Sequence, residues 1–170
     1  LEGIREHRAF TLEHHALVLK GDIERRFGSV ADAMTLYARA ADIAAKRGDE
    51  RVEATACQGA AYSAVYLDAL DDAMTFARRA ANAAASTGDP VLISEVWRQL
   101  GNIQRERGDM TRALESQRKA VKTARMGGSR ALEAKALNNL ALVTERLGDF
   151  AEAEECLRRA IRLKEMIGAF

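Results

Sequence analysis

The stretch NNLALVTERLGDFAEAEECLRRA, residues 138–160, decides the fold of this chain. Its apolar residues recur at helical spacing on both sides of a central Gly-Asp, which predicts two helices joined by a tight turn. The stretch RQLGNIQRERGDMTRALESQRKA, residues 98–120, lies 40 positions earlier and aligns with it without a gap. An internal repeat of this length predicts an array of helix pairs.

The repeat accounts for nearly all of the 170 residues. Four blocks follow one another without an insertion: residues 11–50, 51–90, 91–130 and 131–170. Residues 1–10 fit the end of the second helix of a preceding block. We therefore expect one continuous repeat domain that is a fragment of a longer chain.

Residue types that recur in every block indicate a repeated structural demand. Two columns on one helical face hold alanine, which predicts a close approach between helices: Ala33, Ala73, Ala113, Ala153 and Ala40, Ala80, Ala120, Ala160. A third column holds glycine, which predicts left-handed stops at the ends of the second helices: Gly48, Gly88, Gly128 and Gly168. Polar N-cap residues predict the helix starts: Ser29, Asp49, Asp89, Asp109, Ser129 and Asp149.

Composition excludes several classes of function. Lys and Arg number 26 against 25 acidic residues, so the chain lacks the positive field on which direct nucleic-acid binding depends. No apolar run reaches the roughly 18 residues of a membrane helix, and we expect a soluble, cytoplasmic chain. Cys57 and Cys156 would lie two repeats apart, too far for a disulfide, and are expected to be small buried hydrophobic residues.

The chain offers little that could perform chemistry. His7, His14 and His15 cluster in sequence, but no cysteine or carboxylate lies at metal-ligand spacing from them. No serine or cysteine lies in a nucleophile motif. We predict no enzyme activity, no metal and no cofactor.

The repeats resemble the tetratricopeptide repeat family over essentially the whole chain, most clearly in the last two blocks. The residues that carry the resemblance are Trp97, Leu100, Gly101, Ala113 and Ala120, and Leu137, Leu140, Ala141, Ala153, Leu157 and Ala160. The period of 40 exceeds the family's usual 34, and the proline near the end of the second helix is missing. This variant is similar to the repeats of kinesin light chains, of Leu-Gly-Asn proteins, and of bacterial Rap-type and signalling-ATPase sensors.

The resemblance implies an all-α, right-handed superhelical solenoid whose first helices line a concave groove. It also implies that the groove binds peptides or protein segments and that the repeat itself is not catalytic. The groove positions that we single out are Tyr62, Tyr66, Arg98, Asn102, Arg105, Lys135, Asn138, Asn139 and Arg146. Because cations outnumber acids among the groove positions, we expect a partner with acidic residues or a free C-terminus.

Several of these residues have two interpretations. Tyr62 and Tyr66 either stack on a peptide or form core between the first two blocks. Asn138 and Asn139 line the groove or bond between repeats. Arg98 and Asn102, with Asn139, resemble two of the three parts of a carboxylate clamp, but the repeat carrying the third part would lie beyond Phe170, so ordinary groove lining is favoured.

The second helices carry a series of basic residues that also has two interpretations. These residues are Arg39, Arg78, Arg79, Arg118, Lys119, Arg158 and Arg159. They could bind phosphate, or they could belong to solvated helices in which a glutamate lies four residues before a cation. The spacing of Glu115 to Lys119 and of Glu154 to Arg158 favours the solvated helix.

Two functional hypotheses follow. The first is a non-catalytic scaffold that binds an extended peptide or partner segment in its groove. The alternative is a sensor or assembly segment of a larger bacterial signalling or transcription-regulatory protein, which contacts its own domains or self-associates through exposed repeat ends. Apolar residues such as Ile161 and Ile167 at the C-terminal end motivate the alternative.

Overall fold

A computed structural model describes the backbone of residues 2–168 and the side chains of residues 12–168. The described residues form eight α-helices and no strand, so the predicted all-α class is confirmed. The helices are α1 (Glu2–Phe27), α2 (Val30–Arg47), α3 (Glu50–Tyr66), α4 (Leu70–Thr87), α5 (Pro90–Glu106), α6 (Met110–Met126), α7 (Arg130–Arg146) and α8 (Phe150–Gly168). Among them, no helix has both the length and the apolar character that a membrane crossing requires.

The predicted helix starts are confirmed by hydrogen bonds. At each start, the N-cap side chain accepts a bond from a backbone N–H two or three residues on, which satisfies a donor that the helix leaves unpaired. The distances are 3.2 Å for Ser29, 3.1 Å for Asp49, 2.9 Å for Asp89, 3.2 Å for Asp109, 3.4 Å for Ser129 and 3.0 Å for Asp149.

The predicted glycine stops are confirmed at three of four positions. Gly48, Gly88 and Gly128 have φ angles of 68°, 66° and 67°, and each is followed at once by the cap of the next helix. The predicted stop at Gly168 is wrong, because this residue is part of α8 and does not adopt a left-handed φ.

Residues 2–10 are part of α1 and do not finish a separate, preceding helix. The sequence predicted that residues 1–10 finish a preceding helix, whereas α1 runs without a break from Glu2 to Phe27. The physical reason is local, since the residues around Phe10 include no glycine or proline that would stop a helix.

Packing divides the chain into two compact units, unit 1 (Leu1–Thr87) and unit 2 (Gly88–Phe170). In unit 1, α2 packs on α1 and α3, α4 packs on α3, and α1 also contacts α3. In unit 2, α6 packs on α5 and α7, α8 packs on α7, and α5 also contacts α7. Each unit therefore contains two consecutive helix pairs.

The alanine columns form the core, as predicted. All eight alanines are buried, and seven of them have no exposed surface. Only a methyl-sized side chain allows the helices to approach this closely. In unit 2, Ala120, Ala153 and Ala160 share one cluster with Leu137 and Cys156.

Unit 1 contains one large buried side chain among these small ones. Tyr37 of α2 is 1 % exposed, and its ring packs on Gly21 of α1 and Gly59 of α3. The Tyr37 hydroxyl donates a 2.7 Å hydrogen bond to Asp22 and accepts a 3.3 Å bond from Nε of Arg25. The ring therefore ties three helices of unit 1 together.

Candidate functional site

An ion pair between the two helices of a repeat recurs with the period of the sequence. In three of the four repeats, a glutamate of the first helix accepts a hydrogen bond from an arginine 26 residues later in the second. The nitrogen–oxygen distances are 2.9 Å for Arg39–Glu13, 2.6 Å for Arg79–Glu53 and 2.7 Å for Arg159–Glu133. The charges of these arginines are therefore compensated by glutamates of their own repeats, which disfavours the interpretation that they bind phosphate.

The third repeat replaces this pair with a different contact. Its equivalent positions hold Ile93 and Lys119, and Lys119 places its Nζ 4.3 Å from the centre of the Trp97 ring. The spacing predicted that Lys119 pairs with Glu115, but Lys119 contacts the Trp97 ring instead. The predicted pair Arg158–Glu154 is present at 2.7 Å. The interpretation of the second helices as solvated and internally paired is supported at these positions.

The candidate residues of unit 2 differ from these paired arginines. We call six residues the cationic face: Arg98, Asn102 and Arg105 on α5, and Lys135, Asn138 and Arg146 on α7. Within residues 12–168, Arg98, Lys135 and Arg146 form no ion pair, and the nearest carboxylate to Arg105 is that of Glu106 at 4.0 Å. These side chains carry charge that the protein leaves largely uncompensated.

The two arginines of α5 also keep hydrogen-bonding capacity. The Nε atoms of Arg98 and Arg105 are shielded from solvent and have no partner in the part of the chain that is described. Both side chains are only partly exposed, and because Nε is shielded, the remaining guanidinium nitrogens are the ones that could meet a ligand. Guanidinium groups in this state suit a carboxylate, which accepts two parallel bonds.

Asn102 is fixed by the core beneath it. Its Oδ1 accepts a 3.0 Å bond from Nε2 of Gln117, which also donates to the Arg98 carbonyl at 3.0 Å. Gln117 is fully buried and packs on Gly101, where any added Cβ would lie 2.5 Å from Nε2. Among the described residues no group occupies the amide nitrogen of Asn102, which can therefore donate to a bound ligand.

The two asparagines of α7 lie on different faces. Both are half-buried, and Asn138 occupies the position equivalent to Arg98. Asn139 occupies the position equivalent to Gly59, which packs on Tyr37 of the preceding helix pair. We therefore assign Asn139 to the face between helix pairs and leave it out of the cationic face.

The tyrosines of unit 1 lie on the surface, so the alternative that they form core between the first two repeats is wrong. Tyr62 is 48 % exposed and Tyr66 72 % exposed, and their ring centres are 6.0 Å apart. The guanidinium of Arg25 lies 5.3 Å from the centre of the Tyr62 ring. With Val30, these residues line a pocket of about 140 Å³, which we call the aromatic pocket.

A second, apolar cleft opens between α1 and α3. It has a volume of about 310 Å³, and its walls are Val18, Leu19 and Val52. His15, Arg51 and Thr55 form its polar rim. Sequence reasoning had no means of finding this cleft, because it depends on how α1 and α3 pack.

Packing also brings a carboxylate to two histidines, which the sequence analysis missed. His14, His15 and Asp49 place one possible metal-ligand atom each within 4.8 Å of one another. His14 is 3 % exposed, and both of its ring nitrogens are engaged: Nε2 lies 3.0 Å from Asp49 Oδ2, and Nδ1 accepts from Arg47 at 3.3 Å.

These contacts assign His14 to the scaffold rather than to a metal. A metal on Nε2 would displace the bond to Asp49 and would require the proton to move to Nδ1, which faces a guanidinium. Partial burial opposes ionisation of Asp49, but hydrogen bonds from His14 and from the Val52 N–H lower its pKa below the usual value. The cluster therefore acts as a tie between α1 and the start of α3.

The two cysteines are buried and free, as expected. Burial raises the pKa of the Cys57 thiol to about 12, and burial also raises that of Cys156. Both remain neutral thiols at physiological pH, which is unsuited to nucleophilic chemistry.

The helix pairs, the alanine columns and the glycine stops together define an all-α helical-repeat protein. Residues 92–166 match the family profile described as tetratricopeptide repeat. This stretch of the chain is therefore tetratricopeptide repeat, as its residues predicted. No curated protein matches the chain in sequence.

Solved structures share the fold at low sequence identity. BtubC (BKLC) from P. vanneervenii superposes with a TM-score of 0.83 at 22 % identity, over 95 % of this chain and 66 % of that one. MamA gives 0.72 at 16 % identity, over 98 % of this chain and 86 % of its own. The apo form of RapI gives 0.81 at 20 % identity, over 92 % of this chain and 58 % of its own. These similarities show the fold alone, and the chain spans 58 to 66 % of BtubC and RapI.

Proposed function

We propose that the chain is a non-catalytic binding module and that the cationic face of unit 2 binds an extended, acidic peptide or protein segment. The observation that carries this proposal is the contrast between two sets of cations. Most arginines of the second helices are paired with carboxylates, as in Arg159–Glu133 at 2.7 Å and Arg118–Glu152 at 2.8 Å. Within the described residues Arg98, Lys135 and Arg146 have no such partner.

Five of the six residues of the cationic face have a distinct role in this proposal. Arg98 and Arg105 form paired hydrogen bonds with carboxylates of the ligand. Asn102 donates its free amide hydrogens to a ligand backbone carbonyl, in an orientation set by Gln117. Lys135 and Arg146 are exposed and attract the acidic segment at longer range.

The surface of unit 1 supplies a second kind of contact. The aromatic pocket offers two exposed rings, on which a peptide side chain can stack, next to the charge of Arg25. Unit 1 therefore adds apolar and aromatic recognition to the electrostatic recognition that we propose for unit 2.

A free C-terminus is one form that the acidic partner can take. Arg98 and Asn102 provide two groups of a carboxylate clamp, but Asn139 belongs to another face. We therefore favour internal acidic side chains of the ligand over its terminal carboxylate.

A second candidate function is assembly with a larger signalling or regulatory protein. Apolar side chains on the outermost helices of both units favour it, among them Ile23 of α1 at 59 % exposed and Ile161 of α8 at 55 % exposed. The buried free thiols fit a reducing compartment, and we place the module in the cytoplasm.

The deciding experiment is selection of the chain against a displayed peptide library with free and with blocked C-termini. Enriched peptides are then titrated against Arg98→Glu with Arg105→Glu, and we expect a loss of affinity of at least about tenfold. Binding should also weaken as salt increases.

Arg158→Glu with Arg162→Glu is the matched control, since it makes the same two charge changes at exposed positions of unit 2. It should leave the affinity within about twofold, as expected for remote surface charges. Equal affinity of the wild type and of the variant with Arg98→Glu and Arg105→Glu would remove the proposal. Enrichment that requires a free C-terminus would instead support the clamp.

A further inference from the structure

One face of α1 is apolar and exposed, although the same face is buried in other first helices. We call Leu12, Ala16, Leu19 and Ile23 the α1 stripe, because their spacing places them on one side of the helix. Leu12 is 61 %, Leu19 65 % and Ile23 59 % exposed. A run of this length is the kind of surface that natural proteins reserve for a partner.

The repeat shows what this face does elsewhere in the chain. The equivalent residues of α3 are Val52, Ala56, Gly59 and Ser63, and those of α7 are Leu132, Ala136, Asn139 and Val143. Val52 and Leu132 are each 8 % exposed, and Ala56, Ala136, Ser63 and Val143 have no exposed surface. In unit 1, α2 precedes α3 and packs on it. In unit 2, α6 precedes α7 and packs on it in the same way.

The covering helices have a common chemistry. At equivalent buried positions α2 presents Tyr37, Ala41 and Ala44, and α6 presents Gln117, Val121 and Ala124. Each helix thus combines one larger side chain with small apolar residues one and two turns further on. A helix that covers the α1 stripe must be similarly small on its packing face, because the stripe itself carries large side chains.

The α6 template adds a charged contact, whereas α2 has Ala45 at the same position. Glu133 of α7 is bound by two arginines, Arg159 of its own repeat and Arg125 of α6, at 2.7 Å and 3.1 Å. The equivalent residue of α1 is Glu13, which is bound by Arg39 of its own repeat at 2.9 Å. Among the described residues, Glu13 has no second arginine that corresponds to Arg125 beside Glu133.

We propose that the α1 stripe binds an amphipathic helix that has small apolar residues on its packing face and a basic residue that reaches Glu13. This helix takes the position on α1 that α6 takes on α7. The cleft beside Leu19, with Val18 and Val52, provides about 310 Å³ for one larger side chain of the same helix. The interaction is independent of the cationic face of unit 2.

The α8 helix of a second copy is a poor fit for this role. It carries Glu165 at the position equivalent to Arg125, which would place two carboxylates, Glu165 and Glu13, side by side. It also carries Arg162 at the position equivalent to Asp42, which would face Arg39 where Asp42 binds Arg79 at 2.7 Å. Like charges in contact oppose association, so the stripe selects against its own α8.

The test uses a helical peptide with the sequence of α6, Met110–Met126, as the probe. A lactam bridge between Glu115 and Lys119, which are exposed in α6 and one turn apart, holds the free peptide helical. Its affinity for the full chain is measured by fluorescence anisotropy. We expect saturable binding that Ile23→Glu and Leu19→Glu each weaken by at least about tenfold, because a carboxylate would be buried in the contact.

Two controls separate the proposal from its alternatives. Leu142→Glu changes a leucine of α7 that is 45 % exposed and outside the stripe, and it should leave the affinity unchanged. Replacing Arg125 by Glu in the peptide should weaken binding, and Glu13→Lys in the protein should restore binding of that altered peptide.

Three results would overturn the proposal. The first is no binding at millimolar peptide, and the second is binding that Ile23→Glu and Leu19→Glu do not change. The third is a light-scattering mass of a dimer or larger that both Ile23→Glu and Leu157→Glu reduce to a monomer, since this would assign the stripe to the α8 face of a second copy.

Discussion

A Cβ atom on Gly59 would lie 2.7 Å from Cε1 of the Tyr37 ring. On Gly21, at the other helix against which this ring packs, it would lie 2.8 Å from the same atom. The ring is 1 % exposed and cannot move away from one glycine without approaching other atoms of the core. The buried tyrosine and the two glycines therefore form one structural unit.

We predict that Gly59→Ala destabilises the chain through this contact. Overpacking costs about 1 to 3 kcal/mol, whereas alanine gains up to about 1 kcal/mol over glycine in a helix. Urea unfolding should show a net loss of free energy of unfolding. In a Tyr37→Ala background the same change should become stabilising, and a loss of equal size there would contradict the assignment.

A second prediction concerns the Tyr37 hydroxyl at high pH. Burial raises the pKa of Tyr37, and its hydrogen bond to Asp22 acts in the same direction. Because the folded-state pKa is the higher one, the stabilisation is complete below the ordinary tyrosine pKa of about 10 and is lost as pH rises through the raised value.

Tyr37→Phe isolates this effect. At pH 7 it should cost about 1 kcal/mol for the lost hydrogen bonds. Thermal unfolding between pH 8 and pH 11 should show the wild type losing more stability than the variant. Parallel pH curves for the two proteins would show that this hydroxyl does not titrate with unfolding.

A third prediction concerns Asp49, which caps α3 and accepts from His14. Its pKa is lowered in the folded state, so its contribution is present above the ordinary aspartate pKa of about 4 and is lost as pH falls through the lowered value. Asp49→Ala should cost about 1 to 2 kcal/mol at pH 7.

Asp49→Asn keeps an amide oxygen for the cap but removes the charge. The free energy of unfolding of this variant should therefore fall less steeply with decreasing pH than that of the wild type; we call this fall the acid limb. Asp109→Asn is the control, because Asp109 caps α6 without a histidine partner. The idea fails if the two asparagine variants change the acid limb equally.

A fourth prediction separates buried from exposed ion pairs. The side chain of Glu133 is 7 % exposed and binds two arginines, whereas that of Glu13 is 36 % exposed and binds Arg39. Glu133→Gln should lower the free energy of unfolding by about 1 to 3 kcal/mol, because it leaves two arginines without their buried carboxylate. Glu13→Gln should cost under about 1 kcal/mol, and chemical denaturation of both variants compares the two values directly.

Local sequence features predicted most helix boundaries. Caps such as Asp109 and stops such as Gly128 act through bonds to residues only a few positions away, so they are readable without any tertiary information. The repeat also allowed core residues to be predicted, since Ala113 and Ala153 recur at the same position and both indicate a close contact between helices. The glycine column misled at Gly168, which lies in α8 without the left-handed φ of the other three glycines.

The partition of the charges could not be read from the sequence. Arg159 and Arg98 are both basic residues on amphipathic helices, but Arg159 binds Glu133 while Arg98 has no ion-pair partner among the described residues. Likewise, Asp49 reaches His14 across 35 positions, and the exposure of Tyr62 depends on which faces α1 and α3 cover. Such contacts join helices rather than neighbouring residues.

The sequence by itself determined that this chain forms helix pairs with alanine contacts, because backbone hydrogen bonding and side-chain period are local and repeat every 40 residues. The tertiary structure alone decided which cations remain available to a ligand and which apolar face, that of Leu19 and Ile23, stays uncovered. The physical reason is that charge pairing and burial depend on distances between side chains of different helices, and packing sets those distances.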